Sequence, residues 1–122
     1  MFKIHEFSSA AGSLSSVYLR VGQAGLEIVT DDGVRALPPG ALAAVLARYG
    51  APFDADVPIA SVATLDLESG QTLRHVRHLA GYDVIARDYL VYERPDAEPL
   101  CALAATVSAA LLHLARAGSA QG

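Results

Sequence analysis

The eleven residues from Tyr82 to Tyr92, YDVIARDYLVY, constrain the fold more than any other stretch of the chain. Val84, Ile85, Leu90, Val91 and three tyrosines form the β-branched and aromatic mixture that packs well on a pleated, buried surface, so the segment reads as the central strand of a sheet. Asp83, Arg87 and Asp88 interrupt the apolar run, which a strand buried on both faces would not tolerate. One sheet face is therefore expected to be covered and the other to be partly open, and the open face is the expected working surface.

The rest of the chain fits a single α+β domain over residues 1–118, with 119–122 as a disordered tail. A chain of 122 residues buries a real core without disulfide or metal staples. Its apolar fraction of 52% against 18% charged residues is far from the profile of a disordered segment. A net charge of -4 and a pI near 5.4 argue against nucleic acid and anionic membrane as partners, since both need a broad positive field. Cys101 is the single cysteine, so no internal disulfide forms. The amino terminus MFKIHEF lacks the apolar run of an export signal, and the expected location is cytoplasmic. Eight arginines to one lysine, with abundant alanine, fits the codon usage of a GC-rich bacterial genome.

Hydrophobic alternation gives the strand pattern. Phe2 and Ile4 alternate with Lys3 and His5, which predicts a short edge strand whose polar pair faces outward. Ser8–Ser16 reads as a mobile loop. Val17, Leu19 and Val21 face one way, Gly22–Gly25 turns the chain, and Leu26–Thr30 and Val34–Leu37 return on either side of Asp32-Gly33, a pair suited to a tight turn. Pro38-Pro39 opens a helix with Leu42, Val45, Leu46 and Tyr49 as its inward stripe, and Gly50 and Pro52 end it. After a linker to Pro58, Ala63, Leu65 and Leu67 face the core opposite Thr64, Asp66 and Glu68. Thr72–Leu79 fits either period, and the Ser69-Gly70 turn before it favours a strand in a three-stranded meander. The result is two successive units of strands followed by a helix, without residue-level similarity between them: β-βββ-α-βββ-α, an antiparallel sheet of about five to seven strands with both helices on one face.

The last helix is expected to start at Asp96 as N-cap, with Glu98 and Pro99 in its first turn. Leu100, Leu103, Val107, Leu111 and Leu114 make its buried stripe, and Arg116 with Gly118 closes it. The uncharged stretch from Pro99 to Ala115 is shorter than the ~20 residues a membrane span needs. The small residues Ala102, Ala105, Thr106, Ala109 and Ala110 on its second face would admit another helix, which makes a homodimer one expected partner arrangement.

No motif names a substrate. Arg74, His75, Arg77 and His78 are the densest polar group, and strand geometry sends His75 and His78 to opposite faces, against a shared metal. No metal and no cofactor is expected. Their arginines are expected to pair with Asp66, Glu68 or Asp83 across the sheet. Cys101 sits among leucine and alanine without a nucleophile signature, and His113 follows on the same helix; both read as packing. Alternation from Val84 turns Asp88 inward unless a bulge or an arginine partner intervenes. The expected function is a non-catalytic module that binds a protein or peptide through the open sheet face or a sheet edge, using Arg74, His75, Arg87, Asp88 and Tyr89. The alternative is a small enzyme or ligand-binding protein with a tyrosine, aspartate and histidine pocket around Asp88 and His75.

Overall fold

The computed structural model describes residues 1–52, 59–78 and 87–120, with side chains described outside 59–62, 78 and 118–120. Strands β1 (Phe2–Ser8), β2 (Leu14–Gly22), β3 (Gly25–Thr30) and β4 (Gly33–Ala36) form one antiparallel meander, followed by helix α1 (Ala41–Tyr49). Strands β5 (Ala51–Pro52), β6 (Ile59–Asp66), β7 (Thr72–His78), β8 (Arg87–Arg94) and β9 (Ala97–Leu103) form a second sheet in the order β5-β9-β8-β7-β6, followed by helix α2 (Ala104–Ala120). The fold is α+β, and each half is a four-stranded meander that ends in a helix. The strands are divided between two sheets of four and five, and α2 packs against strands of both.

One core joins the layers. Phe2, Ile4, Val17, Leu19 and Ile28 come from the first sheet, Leu73, Leu90, Tyr92 and Ala102 from the second, Leu42, Val45 and Leu46 from α1, and Val107 and Leu111 from α2. Fully burying each of the larger side chains stabilises the fold by roughly 1.5–3 kcal/mol. The stretch expected at the centre does hold the central strand: β8 lies between β7 and β9 in the middle of the larger sheet, and residues 82–86 of that stretch lie outside the described residues. Thr72–His78 is a strand, as the Ser-Gly turn suggested.

Three local expectations are corrected. Asp96 does not cap a helix. Residues 97–103 are β9, which pairs with β8 from Arg94↔Ala97 to Tyr89↔Leu103, and α2 starts only at Ala104. Between the pairs Arg94↔Ala97 and Tyr92↔Leu100 the ladder sets two residues of β9 against one of β8, and Pro99 falls in that bulge, where a missing N–H is tolerated. Pairing with the central strand outweighs the helical spacing of Leu100 and Leu103, and Leu103 is 38% exposed. Helix α2 also runs through Gly118 to Ala120, so Ser119 and Ala120 are helical and not tail.

In α1, Leu42, Val45 and Leu46 are buried as expected, whereas Tyr49 is 45% exposed, with Arg48 over its ring. Gly50 ends the helix in an extended conformation, its N–H donating to the Leu46 carbonyl at 2.8 Å. Glycine is required there by space, since a Cβ would sit against the Leu46 carbonyl oxygen.

The third correction concerns β1. Lys3 pairs with Tyr18 and His5 with Val17, which leaves Ile4 as an extra residue. A bulge of this kind sets two consecutive residues opposite one, so Ile4 and His5 both turn toward the side of the buried Val17. His5 is half-buried and does not join Lys3 on the outer face.

Candidate functional site

The register of β7 against β8 separates the residues singled out in the sequence into two groups. Pairs directly opposite each other share a face. Leu73↔Tyr92, His75↔Leu90 and Arg77↔Asp88 face the core side, and Arg74↔Val91 and Val76↔Tyr89, with Arg87 two residues before Tyr89, face the other. His75 and Asp88 are thus brought together on the inner face. Arg74, Arg87 and Tyr89 lie on the outer face, away from them.

On the outer face the Arg74 Nη1 donates to Glu93 Oε1 at 2.9 Å, so its cross-strand acid is Glu93 and not Asp66 or Glu68; Asp83 lies outside the described residues. Arg87 is exposed and Tyr89 half-buried. Beneath them Val76 and Val91 are 1% and 0% exposed, so the centre of that face is covered. Cys101 lies opposite Val91 on the same face of β9, not in a helix, and burial pushes its thiol pKa up. No helix dipole activates it there, and it lies on the sheet face opposite His75, with β8 between their strands. His113 is exposed on α2.

The inner-face group opens into a cleft of ≈ 720 Å³ between the two sheets. Phe2, Leu19 and Leu65 give it an apolar floor, with Phe2 meeting the His75 ring edge-on at 6.4 Å. Arg77 donates through Nε to Asp88 Oδ1 at 3.2 Å, and the other carboxylate oxygen lies 3.4 Å from His75 Nε2, within ion-pair reach but without hydrogen-bond geometry. The bulge in β1 places His5 in the same cleft from the first sheet. Burial, with the neighbouring His75 adding to it, pushes the pKa of His5 below 6.5 against the opposing pull of Asp88 and Glu6. Lys3 and Glu6 form an exposed ion pair at 2.8 Å that raises the one pKa and lowers the other. Arg20, from β2, donates through Nε to Glu27 at 2.8 Å.

The first meander provides an internal comparison. In its β2–β3 ladder the last inner-face pair before the terminal one is Val21↔Leu26, preceded by Leu19↔Ile28. The same places in the β7–β8 ladder hold Arg77↔Asp88 and His75↔Leu90. The scaffold therefore accepts apolar residues where the second sheet carries His75, Arg77 and Asp88, so the polar set is not demanded by the fold and marks a candidate site.

The cleft lies where β1 and β6, each at the end of its sheet, approach each other. Side chains from both faces of these strands line it, Phe2 and His5 together with Lys3 and Glu6, and Leu65 together with Thr64. The opening is thus the gap between two strand edges as well as the space between two sheets. Among the described residues, no group of three or more His, Cys, Asp and Glu side chains is arranged to hold a metal ion, and no helix is long and apolar enough to cross a membrane. Compared with protein-family models, with curated proteins and with solved structures, the chain matches none of them.

Proposed function

We propose that the protein is a binding module that takes up an extended segment of a protein partner by strand addition at the edges of β1 and β6, with the adjacent cleft receiving a side chain of that segment. One observation carries the reading: β6 is an eight-residue edge strand, IASVATLD, with Asp66 as its only charge and no lysine, proline or glycine, and it borders an open cleft. A long, nearly uncharged edge presents a row of N–H and C=O groups that pair with another chain, and proteins ordinarily block such edges with charge, proline or a bulge; β6 carries one register shift, between Ser61 and Ala63, and runs regularly from Ala63 to Asp66. Strand addition uses those groups for affinity and neighbouring pockets for side-chain specificity.

The test is selection of octapeptides from a displayed random library, followed by competition with Thr64→Lys. Thr64 is exposed on β6, so the change should shift stability by about 0.5 kcal/mol or less while placing a charge on the edge. Loss of peptide capture at an unchanged thermal midpoint supports the reading, and undiminished capture rejects it. Self-association of the chain through the same edge, read as a concentration-dependent mass that Thr64→Lys abolishes, would replace the peptide by a second copy.

A second reading is favoured by the His75–Asp88 pair, since a histidine with a carboxylate 3.4 Å away at a cleft becomes a general base once the two close to hydrogen-bond geometry. Turnover of a small substrate that Asp88→Asn abolishes in the folded protein would establish that reading in place of the first.

A further inference from the structure

Resting on the strand-addition reading, we infer that the captured segment is acidic, and that the cleft holds an aspartate or glutamate side chain of the partner between the guanidinium groups of Arg20 and Arg77. The two arginines enter the same cleft from different sheets, Arg20 on β2 and Arg77 on β7. Each donates to its intramolecular acid through Nε, Arg20 to Glu27 and Arg77 to Asp88. Neither Nη pair makes a hydrogen bond among the described residues, and both side chains are about half exposed, at 46% and 52%. A guanidinium engaged at Nε keeps a planar pair of N–H donors whose spacing matches a carboxylate.

Lys3, Arg20 and Arg77 bring three cations to the lining beside Glu6 and Asp88, each engaged with one acid, Arg20 with Glu27, in a chain whose net charge is -4. His5 and His75 add further donors on the same walls. The apolar floor of Phe2, Leu19 and Leu65 accommodates the methylene stem of a guest side chain below its carboxylate. A lysine or arginine guest would instead meet like charge on both walls and have to displace Arg77 from Asp88.

The probes are four octapeptides of alternating threonine and valine whose central residue is Glu, Gln, Leu or Lys, titrated into the isotope-labelled protein and followed by backbone amide shifts. The Glu peptide should bind roughly tenfold more tightly than the Gln peptide, as expected for hydrogen bonds to a charged acceptor, and the Lys peptide most weakly. Arg20→Gln and Arg77→Gln should each reduce the Glu-to-Gln preference while leaving affinity for the Gln peptide within about twofold, the mark of a lost charge contact and not of a damaged edge. Equal binding of all four peptides, with shifts on β1 or β6, overturns the acidic preference and leaves strand addition standing. Binding of none, or shifts confined to other surfaces, overturns both. Preference for Lys assigns the cleft the opposite charge and overturns the inference alone.

Discussion

Leu111→Ala and Leu103→Ala should differ sharply in cost, although helical spacing places both on one stripe. Leu111 is fully buried in α2, whereas Leu103 is at the end of β9 and 38% exposed. Truncating leucine to alanine removes three carbons, worth about 2.4 kcal/mol in lost transfer free energy at full burial. The cavity left in a core raises that to roughly 3–5 kcal/mol where the surroundings do not collapse. At position 103 solvent already reaches the side chain, no closed cavity forms, and the loss should be about 1 kcal/mol. Urea denaturation followed by far-ultraviolet circular dichroism separates the two. With a slope of roughly 1.5 kcal/mol/M, a loss of 3 kcal/mol moves the midpoint by about 2 M. Equal midpoints within about 0.3 M would mean that residues 97–103 continue the helix, and the strand assignment would fail.

Ser108 is fully buried on α2 and its hydroxyl has no hydrogen-bond partner among the described residues, so Ser108→Ala should raise stability by up to about 1 kcal/mol; a lower midpoint would show that the hydroxyl is satisfied in solution. Gly50→Ala should lower stability by roughly 1–3 kcal/mol, because the added Cβ meets the Leu46 carbonyl that accepts the capping N–H, and an unchanged thermal midpoint would refute that packing. Burial holds the pKa of His5 below 6.5, so as pH falls the unfolded chain takes up this proton before the folded one. The stability this contributes is complete above 6.5 and is lost as pH falls through the window down to the depressed folded value. His5→Gln should therefore lose less stability than the parent between about pH 7.5 and 5.5, and parallel losses in the two proteins would contradict the buried placement.

Turn chemistry made much of the fold legible. Gly22–Gly25 and Asp32-Gly33 delimit β2, β3 and β4, and Ser69-Gly70 with the alternation from Ala63 to Leu67 delimits β6 and β7. The division into two sheets was not legible, because it depends on which strands pair in space and not on any local pattern. The boundary between β9 and α2 was missed since Leu100, Leu103 and Val107 satisfy a helical period while Leu100 and Ala102 satisfy a strand period, and only pairing with β8 decides between them. At the site, His75 and Asp88 stood out as charged or titratable residues within apolar strands. His5 did not, because a bulge has no signature in MFKIHEF, and strict alternation sends it outward. Lys3, Glu6 and Arg20 read as ordinary surface residues, since their place beside the cleft follows from the approach of β1 to β6.

The central claim is tested most directly by amide hydrogen exchange along β1 and β6, with and without a saturating amount of the octapeptide that carries glutamate. Strand addition predicts new protection at alternate residues of one of these strands, because only every second N–H of an edge points away from its own sheet. Uniform or absent protection along both edges, with the peptide bound, would contradict it.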